Sequence, residues 1–278
     1  MNIEVVAGED GLCGWGCVMK HRAFVLGRCS KVGCRVSLSF VVSLACLAVD
    51  VLANSPGVYA SDVLVSGPLY VGCQGASNHV AIPSKTRVQA GSVFIGWNDL
   101  AQEGRLEVSA DARLVVTDAC SRPAACEVRR GVLWLQGGEV VSDSVSVWQN
   151  SKMGGRGTVS ATTLCAGTLL PGAPIGTLIH RGALALSPSA SSEFQIGGYN
   201  ADSEFDRVLV DGRLCLAGVL SLSVESGFVP VEGDRFVIMT GSSVSGSFSD
   251  VVISNCPDGL AADVVVTEES VSVVFTAR

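Results

Sequence analysis

The chain has 278 residues, of which 48% are hydrophobic, 16% charged and 6% aromatic, and its 43 valines and 32 glycines account for over a quarter of it. Soluble domains usually carry about 25% charge, so uncharged Ser, Thr, Asn and Gly must cover much of this surface. The 19 basic and 26 acidic residues leave a net charge of −7, which weighs against a nucleic-acid binder. A mean hydropathy of +0.44 hints at a membrane protein, yet only one segment is long and apolar enough to consider.

That segment comes first in chain order. Lys20, Arg22, Arg28, Lys31 and Arg35 stand with no acidic residue between them, and residues 36–49 (VSLSFVVSLACLAV) follow as an apolar run of 14 before Asp50. A basic stretch ahead of a run this short reads as a secretory signal peptide in a helix, and as too short for a bilayer span. Cleavage is expected after Ala53 or Ala60, with Pro56-Gly57 breaking the helix between them. Either Met1 or Met19 serves as the start, the latter making residues 1–18 an extension. A buried apolar helix and an uncleaved anchor are the competing readings.

Residues 61–278 hold 14 basic and 22 acidic residues, so the mature chain is more acidic than the whole. Six cysteines remain there: Cys73, Cys120, Cys126, Cys165, Cys215 and Cys256. No two are spaced CxxC and the mature part has two histidines, His79 and His180, so no metal site is expected. Cys120 and Cys126 form the one close couple for a disulfide; free buried thiols on strands are the alternative.

Beyond residue 60, apolar residues alternate with period two rather than 3.6. Leu106-Glu-Val108, Leu133-Trp-Leu135, Val145-Ser-Val147, Leu184-Ala-Leu186, Leu220-Ser-Leu222-Ser-Val224 and Val271-Ser-Val273 are short runs of this kind, punctuated by Gly, Asn, Asp or Pro. Many short strands with polar turns make the fold all-β: a sandwich, a barrel or a solenoid. Repetition favours the last. Tyr70-Val-Gly72 recurs 24 residues on as Phe94-Ile-Gly96, and glycine-led alternating runs begin at Gly104, Gly131, Gly157 and Gly176. Steps of about twenty to thirty residues are one coil of a β-solenoid. Val, Leu and Ile then form inward ladders, glycine serves the corners, and a narrow core explains the scarcity of aromatics. A sandwich with coincidental spacing is the alternative.

Residues 69–116 (LYVGCQGASNHVAIPSKTRVQAGSVFIGWNDLAQEGRLEVSADARLVV) resemble repeats of bacterial autotransporter passengers and of PEP-CTERM-associated surface proteins. Residues 155–198, with GTLLPGAPIGTL and FQIGG, resemble the segment that closes such passengers, and 206–248 continue the pattern. The resemblance implies a right-handed parallel β-helix displayed outside the cell. It brings no catalytic residue and no cofactor. Up to Arg278 the chain carries neither the barrel-forming domain of an autotransporter nor a Pro-Glu-Pro sorting signal, two departures that bear on translocation and anchoring.

The expected layout is a leader over 1–60, a β-helix over 61–200 and a β-rich cap over 201–278, with Pro230 and Gly233-Asp234 marking a turn in the cap. Candidate chemistry is sparse. Asp202-Ser-Glu204-Phe-Asp206 is the densest acidic cluster, read as a solvated turn rather than a calcium site. Asp111, Asp118, Glu127 and Glu139, with Arg113, Arg129 and Arg130, do not repeat at one coil step, so no lyase-like or hydrolase-like groove is expected. His79 and His180 lie in alternating strands and are read as exposed or satisfied imidazoles rather than as bases, and no nucleophile motif is present. Trp97, Trp134 and Trp148 are candidate stacking surfaces. Alternation turns Trp134 and Trp148 outward, as a surface contact for a polysaccharide or another cell-surface protein. The resulting expectation is an exported, non-enzymatic surface or extracellular adhesion or structural module, without cofactor, nucleic-acid partner or membrane span in its mature part. A carbohydrate-active β-helix protein is the alternative.

Overall fold

A computed structural model describes residues 63–72, 79–97, 104–117, 124–172 and 174–278, together with the backbone of four short strands, Ile3–Ala7, Cys13–Cys17, Gly27–Cys29 and Val36–Ser39. The expected leader and its cleavage sites otherwise lie outside the described residues, as do Cys73, Asp118 and Cys120. Val36–Ser39, the start of the apolar run, is extended and pairs in parallel with Val63–Ser66. No helix among the described residues is long and apolar enough to cross a membrane.

The chain is all-β and its sheet is mostly parallel. Most of the short strands pair with the strand three places on, as Pro68–Val71 does with Ser92–Ile95, while the long strands Gly131–Val147 and Lys152–Cys165 each run round a whole coil and pair with each other; this is the pairing of stacked three-sided coils. The first face runs through His79–Ile82, Gly104–Ser109, 131–136, 152–156, Thr168–Pro171, Ser191–Ile196, Val219–Val224 and Asp250–Ser254. The second runs through Val63–Ser66, Arg87–Ala90, Arg113–Val116, 139–141, 157–159, Thr177–His180 and Arg207–Val210. The third comprises Pro68–Val71, Ser92–Ile95, Ala125–Val128, 144–147, 162–165, Leu184–Leu186, Arg213–Leu216 and Ser243–Gly246.

Alternation decides what faces inward. Val80, Leu106, Leu133, Met153 and Leu169 stack in register on the first face, and Val88, Leu114, Val140 and Val159 on the second; all are buried. On the third face, Ile95, Val128, Val147, Cys165 and Leu186 do the same. Parallel strands stack about 4.8 Å apart, so identical positions on successive coils meet, and β-branched and leucine side chains fill the space between three walls. Gly131–Val147 is one strand of 17 residues that turns two corners, with breaks of register between Gln136 and Glu139 and between Val141 and Ser144. Gly131 sits against Gly104 so closely that a Cβ there would lie 2.0 Å from the Gly104 carbonyl oxygen, and its φ of +151° belongs to glycine.

The 24-residue step is reproduced, since Tyr70 pairs with Phe94, and so is the step from Gly104 to Gly131. The later glycines read differently. Gly157 belongs to the second face, where it pairs with Leu178, so the intervals from Gly131 to Gly157 and on to Gly176 are not coil steps. Glycines stand at more than one corner of a coil, as Gly172, Gly176 and Gly182 do, and corners such as 109–113 have none, so a glycine does not mark one fixed point of the coil. In the second-face ladder the true step is 26 residues from Val88 to Leu114 and again to Val140, then 19 to Val159, 21 to His180 and 30 to Val210. Face lengths stay nearly constant and the corners absorb the difference.

Parallel stacking runs on past residue 200: Val208 pairs with Met239, Leu214 with Val244 and Leu220 with Val251. The cap-like, antiparallel part comprises Arg235–Thr240 against 270–274, with a break of register between Val237 and Met239, and Leu260–Val266 against 271–277. Longer corners, which obscure the repeat, are the physical reason that the sequence pattern fades earlier. The turn at 230–234 is present, held by the Val231 amide donating to the Asp234 carboxylate at 2.8 Å. Among the described residues no aromatic is buried in the early core, but Phe194, Phe205, Phe236 and Phe275 are buried in the last third, where Phe236 meets Phe205 and Phe275 edge-on.

A candidate aromatic and arginine strip on the third face

The two tryptophans singled out by alternation do not come together. Leu133 and Leu135 are fully buried, which turns Trp134 outward on the first face beside Glu107 and Gly154 in register. Val147 is buried and ends the third face, so Trp148 opens the corner after it, its amide donating to the Val128 carbonyl at 2.8 Å. Each meets an arginine of the preceding coil. The Arg105 guanidinium lies 5.3 Å from the Trp134 ring centre, and that of Arg129 lies 5.1 Å from Trp148.

Around Trp148 the stacking of coils assembles a longer strip. Tyr70 and Phe94 are partners in the third-face ladder and their rings stack at 5.3 Å. Trp97, at the corner after Phe94, meets the Phe94 ring edge-on at 4.3 Å and the Tyr70 ring at 5.5 Å. Arg129 then bridges Trp97, at 4.3 Å, and Trp148, while its Nε donates to the Glu127 carboxylate at 2.7 Å. A guanidinium between two π faces is held electrostatically and by dispersion, more firmly than an exposed ion pair. Trp97 keeps 37% and Trp148 50% of its surface open. The strip follows the stacking direction across four successive coils. Trp97 and Trp148 were singled out by the sequence; Tyr70, Phe94 and Arg129 were not assigned to the same patch. The 24-residue step already placed Phe94 over Tyr70, but the 33-residue step from Val93 to Cys126 that brings Arg129 alongside has no pattern to reveal it.

The remaining candidates disperse. Glu107, Glu127 and Glu139 project from the first, third and second faces respectively, so they do not converge; Asp111 is at a corner with positive φ. Arg113 pairs with Glu139 at 3.1 Å. His79 Nε2 lies 3.3 Å and Arg105 Nε 3.5 Å from the same Glu107 oxygen, beside Trp134, making a small polar group on the first face.

Each acidic residue of 202–206 has a separate local task. Asp202 accepts from the Thr177 hydroxyl and faces Arg207 at 3.5 Å. Glu204 accepts from the Asn200 amide, which holds its carboxyl below the ordinary value. Asp206 is buried and accepts the Gly176 amide at 3.0 Å and the Gln195 amide at 2.9 Å; burial still pushes its carboxyl up to about 7, against the pull of those two donors. Asp206 thus ties one corner to the next coil. Among the described residues no three His, Cys, Asp or Glu side chains gather as metal ligands would.

His180 occupies an inward ladder position and is fully buried, with Nδ1 3.4 Å from the Thr163 hydroxyl and no partner for Nε2; desolvation lowers its pKa to about 4. Cys126 and Cys165 are likewise inward and free, and burial pushes their thiols up to about 12 and about 11. No protein-family model matches the chain, and no curated protein matches it.

Proposed function

We propose that the chain is an exported, non-enzymatic β-solenoid of the autotransporter-passenger type, right-handed, acting at the cell surface or outside the cell as an adhesion or structural module. The observation that carries the reading is the parallel stack from Val63 to Ser254, which leaves long lateral walls as its main surface, one of them bearing the open strip of Tyr70, Phe94, Trp97, Arg129 and Trp148. A wall of this kind suits recognition spread over several coils better than chemistry focused at a point. The basic stretch and apolar run before residue 60 support export.

Protease shaving tests it. The full chain, expressed in a bacterium with its own first sixty residues, is expected in the medium or degraded by protease added to intact cells. A chain protected until the cells are lysed sinks the reading.

The carbohydrate-active alternative has one observation on its side, the His79, Arg105 and Glu107 group beside Trp134 on the first face. An imidazole, a guanidinium and a carboxylate beside an indole are the types of group a sugar-cleaving site uses. Incubation with acidic polysaccharides, followed for unsaturated products that Glu107→Gln abolishes, would establish that alternative; absence of product removes it.

A further inference from the structure

We propose that the strip of Tyr70, Phe94, Trp97, Arg129 and Trp148 binds a neutral polysaccharide laid along the stacking axis, hexose rings packing on the Trp97 and Trp148 indoles. The proposal rests on the strip being presented outside the cell, as argued above, and adds the class of ligand. A hexose ring offers a flat face of C–H groups and a rim of hydroxyls. The first wants an aromatic face and the second wants hydrogen-bonding groups close beside it. The strip supplies both, because Glu127 and Ser146 follow Phe94 in the outward ladder and Arg129 lies between the two indoles.

Three further features define the ligand. Its charge follows from the 2.7 Å contact of Arg129 with Glu127: the guanidinium is compensated by its own neighbour, so the strip has no need of a carboxylate or sulfate from the sugar. Its length follows from the coils. Tyr70, Phe94, Arg129 and Trp148 occupy four successive turns, three spacings of about 4.8 Å, which matches a short run of sugar units rather than a single ring. Its geometry follows from rigidity. The rings and the guanidinium brace one another at 4.3 to 5.9 Å, so little side-chain freedom remains to be lost on binding. A protein partner is disfavoured because Glu127 and Ser146, residue types depleted at the core of protein interfaces, interrupt the aromatic surface.

The test is affinity electrophoresis of the purified full chain in native gels containing hydroxyethylcellulose, xyloglucan or laminarin, with polygalacturonate and alginate as acidic counterparts. Retardation is expected in at least one neutral gel. The double variant Trp97→Ala, Trp148→Ala is expected to bind at least about tenfold more weakly. Trp134→Ala, the same residue type on another face, should migrate as the parent does. Trp148→Ala alone, at a half-exposed position, keeps the test meaningful if the double variant misfolds, and circular dichroism reports the fold of each. No retardation in any neutral gel, retardation confined to the acidic gels, retardation that survives loss of the tryptophans, or capture of a protein partner alone would each overturn the proposal. Because the gels use purified protein, a failure there leaves the export reading standing, whereas a chain protected inside cells leaves a positive gel result intact.

Discussion

Val159 stacks directly on His180, and His180 on Val210, so a fully buried imidazole takes a place that valine and leucine hold elsewhere in the second-face ladder. A ladder position selects for shape, and an imidazole is close enough in size to be accepted. Its polarity is answered on one side only, by Thr163.

The first prediction concerns pH. His180 is neutral when folded, its pKa lowered to about 4, whereas the unfolded chain binds the proton near 6.5. Its contribution is therefore intact above 6.5 and is lost as pH falls towards about 4, by at most about 3 kcal/mol. Asp206 acts in the opposite sense. Its carboxyl is raised from 3.8 to about 7, so the folded state holds a proton that the unfolded state releases, and stability declines as pH rises through that interval. The two slopes oppose each other between about 4 and 6.5. Urea unfolding across this range should give a shallow profile for the parent, a fall with rising pH for His180→Val, and a rise with pH for Asp206→Asn. Parallel profiles for all three would contradict the assignment.

The second prediction removes the buried polar pair. His180→Val together with Thr163→Val completes two apolar ladders, since Thr163 lies between Val145 and Leu184. Replacing both partners leaves no orphaned hydroxyl. A gain of about 1–2 kcal/mol at pH 7 is expected from the unfolding midpoint at constant m-value.

The third concerns the glycine corner. Gly131→Ala drives a Cβ to 2.0 Å from the Gly104 carbonyl oxygen at positive φ. A loss of about 2–4 kcal/mol follows from overpacking and backbone strain combined. Gly227→Ala, where φ is also positive but nothing lies within 4 Å, should lose only about 1 kcal/mol, and thermal unfolding of the two variants compares them.

The fourth concerns thiols. Cys126 and Cys165 are buried with their thiols pushed up to about 12 and about 11, whereas Cys215 and Cys256 are half-buried. Iodoacetamide at pH 8 should modify Cys215 and Cys256 in the native protein and reach Cys126 and Cys165 only after denaturation, as read by peptide mass spectrometry. Rapid native labelling of Cys165 would mean that the third-face ladder opens.

How much was legible varies along the chain. Strand positions and the inward set were readable, because period-two alternation such as Leu106-Glu-Val108 is a local property and survives any choice of coil length. Coil length was readable where corners are regular, as from Tyr70 to Phe94. It was not readable from residue 131 to 200, where a glycine stands at several corners of one coil, nor beyond Gly198, where parallel coils of about thirty residues continue to Ser254. The outward direction of Trp134 and Trp148 followed from their neighbours. Their separation onto different walls did not, because nothing local counts corners.

The amino-acid sequence by itself determined the class of this protein: valine-rich alternation with glycine punctuation admits short strands, and repetition makes stacked coils the favoured way to bury them. It also determined which residues point inward, since side-chain direction in a strand depends only on the parity of position. Which outward residues become neighbours was decided by the tertiary structure alone. Contact across coils depends on the number of residues spent in the corners, which changes the coil step from 33 to 19 residues between the turns that bring Phe94, Arg129 and Trp148 into one strip.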